Sequence, residues 1–369
     1  MNMNNMSCAT VQQQVDILIV GGGLSGMTLA YELEKKKQVI VGNNKMSMSI
    51  SYQVLEAKPV VGGRLLNDAV HDELDLGGAW IWPQHQPLMN KLLTTLHMNT
   101  IKQEPIDPYT ETRRIEGGAV QIVRKLAQKV PPENIQLESP VTSCTLDVTA
   151  NHIRVETKNN VTYVANQVVF CVPPRLLLEQ QPVIFDPPLS APKQHALQRS
   201  HTWMAGVTKI ALVYPTRFWE TDYSSYSRIS AVPGPIFQMY DASTENVNAL
   251  TAFTVANTSE DDNKVLAQQV VHQMNSLWTA LGKTEWVPNT NSYTSYHVQR
   301  WPLETYMSET RNPTSVQPHP EPVLSLSTTE WEDRLFFGGT ETDQNSPGVM
   351  EGAVGAALRV LQQLEDSHH

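Results

Sequence analysis

The sequence predicts an α/β fold, with α and β elements mixed, built on a Rossmann-like dinucleotide-binding domain and completed by a smaller second domain. Three observations predict it. A GxGxxG motif (Gly21, Gly23, Gly26) falls between a β-branched run and a helical pattern. An acidic residue, Glu56, ends the next strand pattern. Strand–helix material stands at both ends of the chain with mixed material between, as in a core assembled from discontinuous segments.

The elements follow in order. Residues 15–20 (VDILIV) form a short apolar run of the kind buried on both faces of a parallel sheet. Residues 24–37 read as a helix, with Met27, Ala30, Tyr31 and Glu34 at helical spacing. A strand is expected at 52–56, and residues 38–51 between them hold a Gly-Asn-Asn turn signal at Gly42. Gly117 and Gly118 precede an amphipathic segment at 120–129, stopped by Pro131 and Pro132. Short strands are expected at 141–146, 153–157, 162–165, 167–171 and 207–214. A helix is expected at 261–281, a loop rich in Pro, Ser and Thr at 302–322, a buried strand at 334–337 and a last helix at 348–364. No repeat or low-complexity tract interrupts them.

At 369 residues the chain exceeds the usual size of one hydrophobic core, so two domains are expected. The expected division puts 1–84, 115–180 and 320–369 in the dinucleotide-binding domain and 85–114 and 181–319 in the other. With 40% hydrophobic and 17% charged residues the composition is that of an ordinary globular protein. Its net charge of −10 argues against nucleic acid as a partner, because phosphates need a basic footprint. An acidic surface can steer a cationic substrate, or it can simply be a solvated face. Cys8, Cys144 and Cys171 are scattered and form no CxxC, so no disulfide framework, cysteine zinc site or redox dithiol is expected. The polar first 14 residues lack the apolar core of a signal peptide, and no apolar run is long enough to span a bilayer. Together these favour a reducing, cytoplasmic setting. His368 and His369 receive no role.

The glycine motif has a physical job. Its glycines allow a tight turn, close approach of backbone to a pyrophosphate, and close helix–strand packing. The helix start at Leu24 and Ser25 then offers free N–H groups to the phosphates. Glu56 can accept hydrogen bonds from ribose hydroxyls. It lies 30 residues past Gly26 (56 − 26) rather than about 20, and an insertion within 38–51 accounts for the excess. A plain glycine turn with a surface glutamate is the alternative.

Later blocks specify the dinucleotide. Leu55-Glu-Ala-Lys-Pro-Val-Val-Gly-Gly-Arg64 follows the first strand pair, then Asp75-Leu-Gly-Gly-Ala-Trp80. Farther on come Val168-Val-Phe-Cys-Val-Pro-Pro-Arg175, Val207-Thr-Lys-Ile210, Phe336-Phe-Gly-Gly-Thr-Glu-Thr342 and Gly348-Val-Met-Glu-Gly-Ala-Val354. With these blocks the chain resembles the flavin-containing amine oxidases, the family of monoamine and polyamine oxidases, over nearly its whole length. The resemblance implies an FAD-binding domain of the glutathione-reductase and amine-oxidase type. It implies that Gly21, Gly23, Leu24, Ser25 and Gly26 meet the phosphates, that Glu56 and Ala57 hold the adenosine ribose, and that Val141 meets the adenine. Gly63 and Arg64 would lie by the phosphates and ribityl chain; Gly77, Gly78, Ala79 and Trp80 would lie by the flavin. Gly339, Glu341 and Thr342 would contact the phosphates and ribityl chain. The helix starting near Gly348, Val349 and Met350 would point its N-terminus at the flavin N1–C2=O edge, where reduction places negative charge. Gly352, Ala353, Gly355 and Ala356 also read as small residues for close helix packing, and both readings stand.

Lys209 is catalytic by this resemblance, hydrogen-bonded through water to flavin N5 and assisting the reaction with oxygen. Read from its strand alone, it would be a solvent-facing lysine. Trp301 matches the tryptophan near the dimethylbenzene edge of the flavin and can equally be a core residue at a domain junction. Trp80 and Trp82 can line a substrate cavity or pack.

The chain departs from the family in three respects. Val349 stands where monoamine oxidases carry one tyrosine of an aromatic cage, and no counterpart of the other follows Tyr306. No cysteine occurs after Cys171, so covalent attachment through the last block is excluded and FAD is expected to be non-covalent. Only residues 85–115 are available where relatives carry a long helical excursion. The substrate domain is therefore reduced, its cavity open to solvent or completed by a partner such as a second copy of the chain. The expected activity is oxidation of an amine C–N bond, with hydride passing to the flavin, imine hydrolysis, and O2 reduced to H2O2. The alternatives are an FAD-dependent desaturase or dehydrogenase of a larger apolar substrate, and a catalytically weak flavoprotein serving as an interaction module. No metal is expected.

Overall fold

A computed structural model describes residues 10–40, 50–103, 110–178, 182–219, 228–255, 262–307 and 318–367. The Gly42 turn, Cys8, the C-terminal histidine pair and residues 308–317 of the 302–322 loop therefore lie outside the described residues. In chain order the strands are β1 (Thr10–Val20), β2 (Tyr52–Leu55), β3 (Trp80–Ile81), β4 (Thr100–Lys102), β5 (Arg113–Ile115), β6 (Ile135–Gln136), β7 (Val141–Asp147) and β8 (His152–Thr157). They continue with β9 (Val161–Phe170), β10 (Ile184–Asp186), β11 (Val207–Tyr214), β12 (Ile236–Asp241), β13 (Asn248–Val255), β14 (Ser295–Arg300) and β15 (Leu335–Phe337). The longer helices are α1 (Leu24–Ile40), α2 (Pro87–Thr95), α3 (Val120–Ala127), α4 (Ala191–Arg199), α5 (Asn263–Ala280) and α6 (Met350–Asp366). The chain divides into two compact units, one of Met1–Val61, Leu126–His201 and Pro320–His369, the other of Gly62–Lys125 and Thr202–His319.

The first unit is organised by an eight-stranded sheet in the order β10-β7-β8-β9-β1-β2-β6, with β15 also on β9. Its centre is parallel: β1 pairs with β2 and β9, and β15 joins the C-terminal half of β9 through Leu335–Phe337. The N-terminal half of β9 instead pairs antiparallel with β8. The sequence reads β9 as two strands, 162–165 and 167–171, parted at polar Asn166, yet the backbone runs through. Ile17, Leu18 and Ile19 are fully buried, as a run apolar at every position requires of a strand covered on both faces. Helices α1 and α6 pack together, and α6 buries Gly352, Ala353, Ala356 and Ala357.

One lysine sits in this core. Lys193 on α4 is fully buried, its Nζ donating to Leu326 O (3.1 Å) and Thr328 O (2.6 Å) and lying 4.0 Å from the centroid of the Phe337 ring. Burial lowers its amine to about 7, opposed by nearby Glu330.

The second unit carries an antiparallel sheet, β12-β13-β11-β14, and a small sheet, β3-β5-β4. Helix α5 begins at Asp262, whose carboxylate accepts from Lys264 N, a standard N-cap. It buries Leu266, Val270, Met274 and Trp278 against Ile210, Leu212, Met239 and Leu250. On the opposite side of β11, Ala211 and Val213 join Leu74 and Leu76 in a smaller cluster.

These units differ from the expected division at three segments. Residues 62–84 and 115–125 fall in the second unit, because Arg64 and Leu66 bond by backbone to residues 76–78 and Leu74 and Leu76 pack on β11. Residues 181–201 fall in the first, because β10 pairs with β7 and α4 buries Ala196 and Leu197 in that core.

Candidate functional site

In the first unit the glycine motif forms the turn its spacing implies. Gly21 N donates to Leu55 O (2.8 Å), closing β1 onto β2, and Gly21 adopts φ +112°, a conformation that favours glycine. A Cβ on Gly26 would collide with Gly21 O, so the first turn of α1 can sit against the end of β1 only with glycine there. That first turn holds no acidic residue, leaving its N–H dipoles uncancelled. Ser25 is buried and its hydroxyl bonds Gly338 O, which ties Leu24-Ser25 to the Gly339 segment.

Glu56 is 6% exposed and ends β2 beside this turn. One carboxylate oxygen accepts from Gly22 N (2.7 Å), the other from Lys58 N (2.9 Å). Burial raises its pKa above the usual carboxylate value, opposed by those N–H groups. The carboxylate is thus fixed before any ribose arrives. Ala57 follows it half-buried, and Val141 opens β7 opposite Thr157. These residues fit a dinucleotide: a donor-rich helix start, a glycine turn without side chains, and an oriented acceptor.

Two further segments of this unit were expected at the cofactor. Gly339 precedes a short 3-10 turn, Thr340–Thr342, and Glu341 and Thr342 are each 1% exposed. The Thr342 hydroxyl donates to Gly339 O (2.7 Å) and accepts from Arg359 (2.6 Å), so it shapes the loop. Gly348 has φ +82°, and half-buried Val349 starts α6 with no side-chain cap, followed by buried Met350. The 17-residue helix therefore starts without a side-chain N-cap, with buried Glu351 in its first turn.

The second unit gathers the remaining site residues around 76–80. Gly78 N bonds Arg64 O (3.1 Å), and a Cβ on Gly77 would collide with the same carbonyl. Neighbouring Gly63 has φ +62°. Gly78 is exposed, Ala79 buried and Trp80 half-buried, so a flat group can approach bare backbone at this point. Trp301 Nε1 donates to Leu76 O (3.1 Å), which fixes its indole here.

Lys209 is 1% exposed, so the strand-based expectation of a solvent-facing side chain fails. All eight residues of β11 are buried because the sheet is covered on both faces. Lys209 Nζ donates to Gly77 O (3.0 Å) and lies 5.3 Å from the Trp80 ring and 5.4 Å from the Phe253 ring. Burial lowers its amine to about 8; Asp75 favours the charged form and Arg114 opposes it.

Sequence reading assigned no role to the groups that tune this lysine. Asp75 accepts from Ala119 N (2.7 Å) at the start of α3, and burial raises its carboxyl to about 6. Arg114 is buried, its acidity shifted by desolvation against the pull of Asp75 and Asp241, and it donates to Ser243 O (2.6 Å). Asp241 pairs with Arg217 at 2.6 Å. Gln103 links the cluster, accepting from Trp80 Nε1 (2.6 Å) and donating to Asp241 O (2.8 Å). Trp80, Tyr240 and Phe253 form an aromatic wall with centroids 4.8 to 6.1 Å apart. Gln103, Arg114, Tyr240, Asp241 and Phe253 are isolated in sequence and carry no motif; Asp75 and Trp80 stand at the two ends of one quoted block. Among the described residues no group of His, Cys, Asp and Glu is arranged to hold a metal ion, and no helix is long and apolar enough to cross a membrane.

Comparison with known proteins agrees with this geometry. A family model described as flavin containing amine oxidoreductase matches residues 105–364, and one for an NAD(P)-binding Rossmann-like domain matches residues 19–96. The lysine-specific histone demethylase 1B of Mus musculus is 27% identical over 257 residues, covering 67% of this chain and 29% of that protein. The flavin-containing amine oxidase B of Homo sapiens is 26% identical over 261 residues, covering 69% and 47%. The chain thus spans half or less of the length of these curated relatives. A putrescine oxidase solved with putrescine bound superposes with a TM-score of 0.69 at 16% identity, covering 96% of this chain and 99% of that one. Cyclohexylamine oxidase from Brevibacterium oxydans gives 0.70 at 16%, covering 96% and 100%. At that identity the structures show the shared fold.

Proposed function

This chain belongs to the flavin containing amine oxidoreductase family, and we propose that it binds FAD non-covalently and oxidises the C–N bond of an amine, reducing O2 to H2O2. The observation that carries the reading is Lys209, an amine buried against Gly77 and the aromatic wall with its acidity tuned close to neutrality. A lysine held there for packing alone would be replaced at lower cost by an apolar side chain.

FAD, when bound, would supply the two-electron acceptor. The chain's residues would do the rest. Gly21, Gly23 and the start of α1 would take the phosphates, Glu56 the ribose, and the start of α6 a developing negative charge. Gly77, Gly78 and Trp80 would offer a flat, partly exposed floor, and Trp301 would bound it. Lys209 Nζ, with a pKa of about 8, holds a proton at neutral pH and can release it, which suits delivery to reduced oxygen. Asp75 and Arg114 set that proton's affinity. The aromatic wall would orient the substrate by its apolar part and exclude water.

Val349 in place of a cage tyrosine favours a second reading, a desaturase or dehydrogenase of a larger apolar substrate. Anaerobic titration of the purified protein with pools of mono-, poly- and amino-acid amines separates the two. Bleaching of the flavin absorbance by one pool names the amine class. No bleaching by any pool would overturn the amine oxidation. An oxygen-dependent peroxide signal at enzyme-like rates would eliminate the interaction-module alternative.

A further inference from the structure

Along the sheet face that carries Lys209, the second unit holds a second ordered set of reactive groups, beginning at the position diagonal to it. Ser295 and His297 stand two apart on β14, so both side chains leave the same face. Ser295 Oγ lies 2.9 Å from His297 Nε2, and His297 Nδ1 lies 2.7 Å from Asp68 Oδ2. Each imidazole nitrogen therefore meets a different partner, in the order hydroxyl, imidazole, carboxylate.

The carboxylate is anchored independently of the histidine. Asp68 N donates to Leu74 O (2.9 Å) and Leu74 N to His71 O (2.8 Å), closing a tight loop. Within it Asp68 Oδ1 accepts from Val70 N (2.9 Å) and His71 N (2.8 Å), leaving Oδ2 for the imidazole. Burial opposes ionisation of Asp68, but those two N–H groups and His297 outweigh it and hold its carboxyl below the usual range. It is then an acceptor only, so the proton between it and His297 sits on Nδ1. In the neutral imidazole Nε2 then turns its lone pair to Ser295, whose hydroxyl is the donor. The His71 ring, edge-on to His297 at 5.1 Å, keeps the imidazole upright. Side-chain exposures of 11% for His297 and 10% for Asp68 shield the pair, while Ser295 is half-buried on a strand that ends its sheet. Opposite the pair in register lie Ala211 and Val213, both small and apolar.

We propose that Ser295, His297 and Asp68 form a nucleophilic triad that hydrolyses short-chain carboxylic esters, an activity separate from amine oxidation. Ser295 Oγ bonds to the ester carbonyl carbon as its proton passes to His297 Nε2. The carbon–alkoxy bond breaks, the alkoxide takes that proton, and an alcohol leaves. Water, deprotonated at the same Nε2, then cleaves the acyl–serine bond, releasing a carboxylic acid and restoring the hydroxyl. Asp68 is a positioning residue: it holds the tautomer and stabilises the imidazolium.

A fluorophosphonate probe tests this on the full-length protein, read by peptide mass spectrometry, with p-nitrophenyl acetate hydrolysis alongside. The expected result is one adduct on Ser295, lost in Ser295→Ala together with the hydrolysis. Labelling should slow by about 100-fold in His297→Gln, the lower end of a general base's contribution. In Asp68→Asn the midpoint of the labelling–pH profile should move to lower pH, because the imidazolium loses its carboxylate; a merely structural aspartate would leave that midpoint in place. Far-UV circular dichroism confirms that each variant is folded. Absence of an adduct on Ser295 in the folded wild type, or equal labelling rates in His297→Gln, would overturn the proposal.

Discussion

Replacing Lys193 by Met should remove a pH dependence that the buried amine imposes on stability. In the folded chain this amine titrates near 7; its ordinary value is 10.5. The shift is downward, so between about pH 7 and 10.5 the unfolded chain binds a proton that the folded chain does not. Stability then rises with pH through that window, at about 1.4 kcal/mol per pH unit for one proton. Below pH 7 both states are protonated and the burial cost is present in full. Between pH 7.5 and 9.5 the term amounts to about 3 kcal/mol. Glu330 and Arg359 face the same amine and are unchanged by the substitution, so the difference between the two proteins isolates it. Met matches the volume but leaves the carbonyls of Leu326 and Thr328 without their donor, costing roughly 1–3 kcal/mol each. The two stability curves should therefore converge toward neutral pH, with the variant clearly the less stable at pH 10. Urea unfolding followed by circular dichroism from pH 6 to 10 measures both slopes. Parallel curves across that range would refute the reasoning.

Three other outcomes are expected. Lys209→Met should leave anaerobic reduction by substrate largely intact and slow oxygen-dependent turnover by about 100-fold or more; unchanged reoxidation in stopped flow would remove Lys209 from that step. Asp75→Asn withdraws a carboxylate that favours the charged amine, so the Lys209 pKa should fall below about 8 and the pH profile of reoxidation should move to lower pH. Gly26→Ala places a methyl against Gly21 O, and the turn should open at a cost of about 1–3 kcal/mol. Its check is flavin retention on gel filtration, which should fall at least 10-fold.

Where packing follows from local pattern, the sequence was a good guide. β11 runs over Val207–Tyr214 as expected because a strand covered on both faces reads as a near-continuous apolar run. The GxGxxG turn and Glu56 come together because their neighbours, β1 and β2, are adjacent parallel strands. Other elements were illegible for identifiable reasons. β14 reads Ser-Tyr-His-Val-Gln-Arg, with only Tyr296 and Val298 apolar and turned to the core, too short an alternation to stand out. The start of α4 was hidden by Pro192, which is tolerated in a first helical turn behind the Ser190 cap. The charged groups around Lys209 were hidden more deeply. Asp75, Arg114 and Asp241 meet through β5, β12 and a glycine loop separated by up to 166 residues (241 − 75). No local pattern encodes such a meeting.

The two buried lysines differ in how fully the protein occupies their donors. An ammonium has three donors. Lys193 directs two at backbone carbonyls and lies close over the Phe337 ring, so its bonding capacity is nearly consumed inside the protein. Lys209, among the described residues, spends one donor on Gly77 O, and its aromatic neighbours stand farther away at 5.3 and 5.4 Å. Burial costs both amines heavily, yet among the described residues Lys209 keeps two donors uncommitted where Lys193 keeps one. Asp75 behaves in parallel, accepting one backbone N–H while burial draws its carboxyl to about 6. Groups buried for packing are stable when their polar atoms are satisfied; groups kept costly and unsatisfied need a ligand to complete them. That difference, more than burial or perturbed acidity by themselves, separates the Lys209 cluster from the rest of the core and supports assigning it to the reaction.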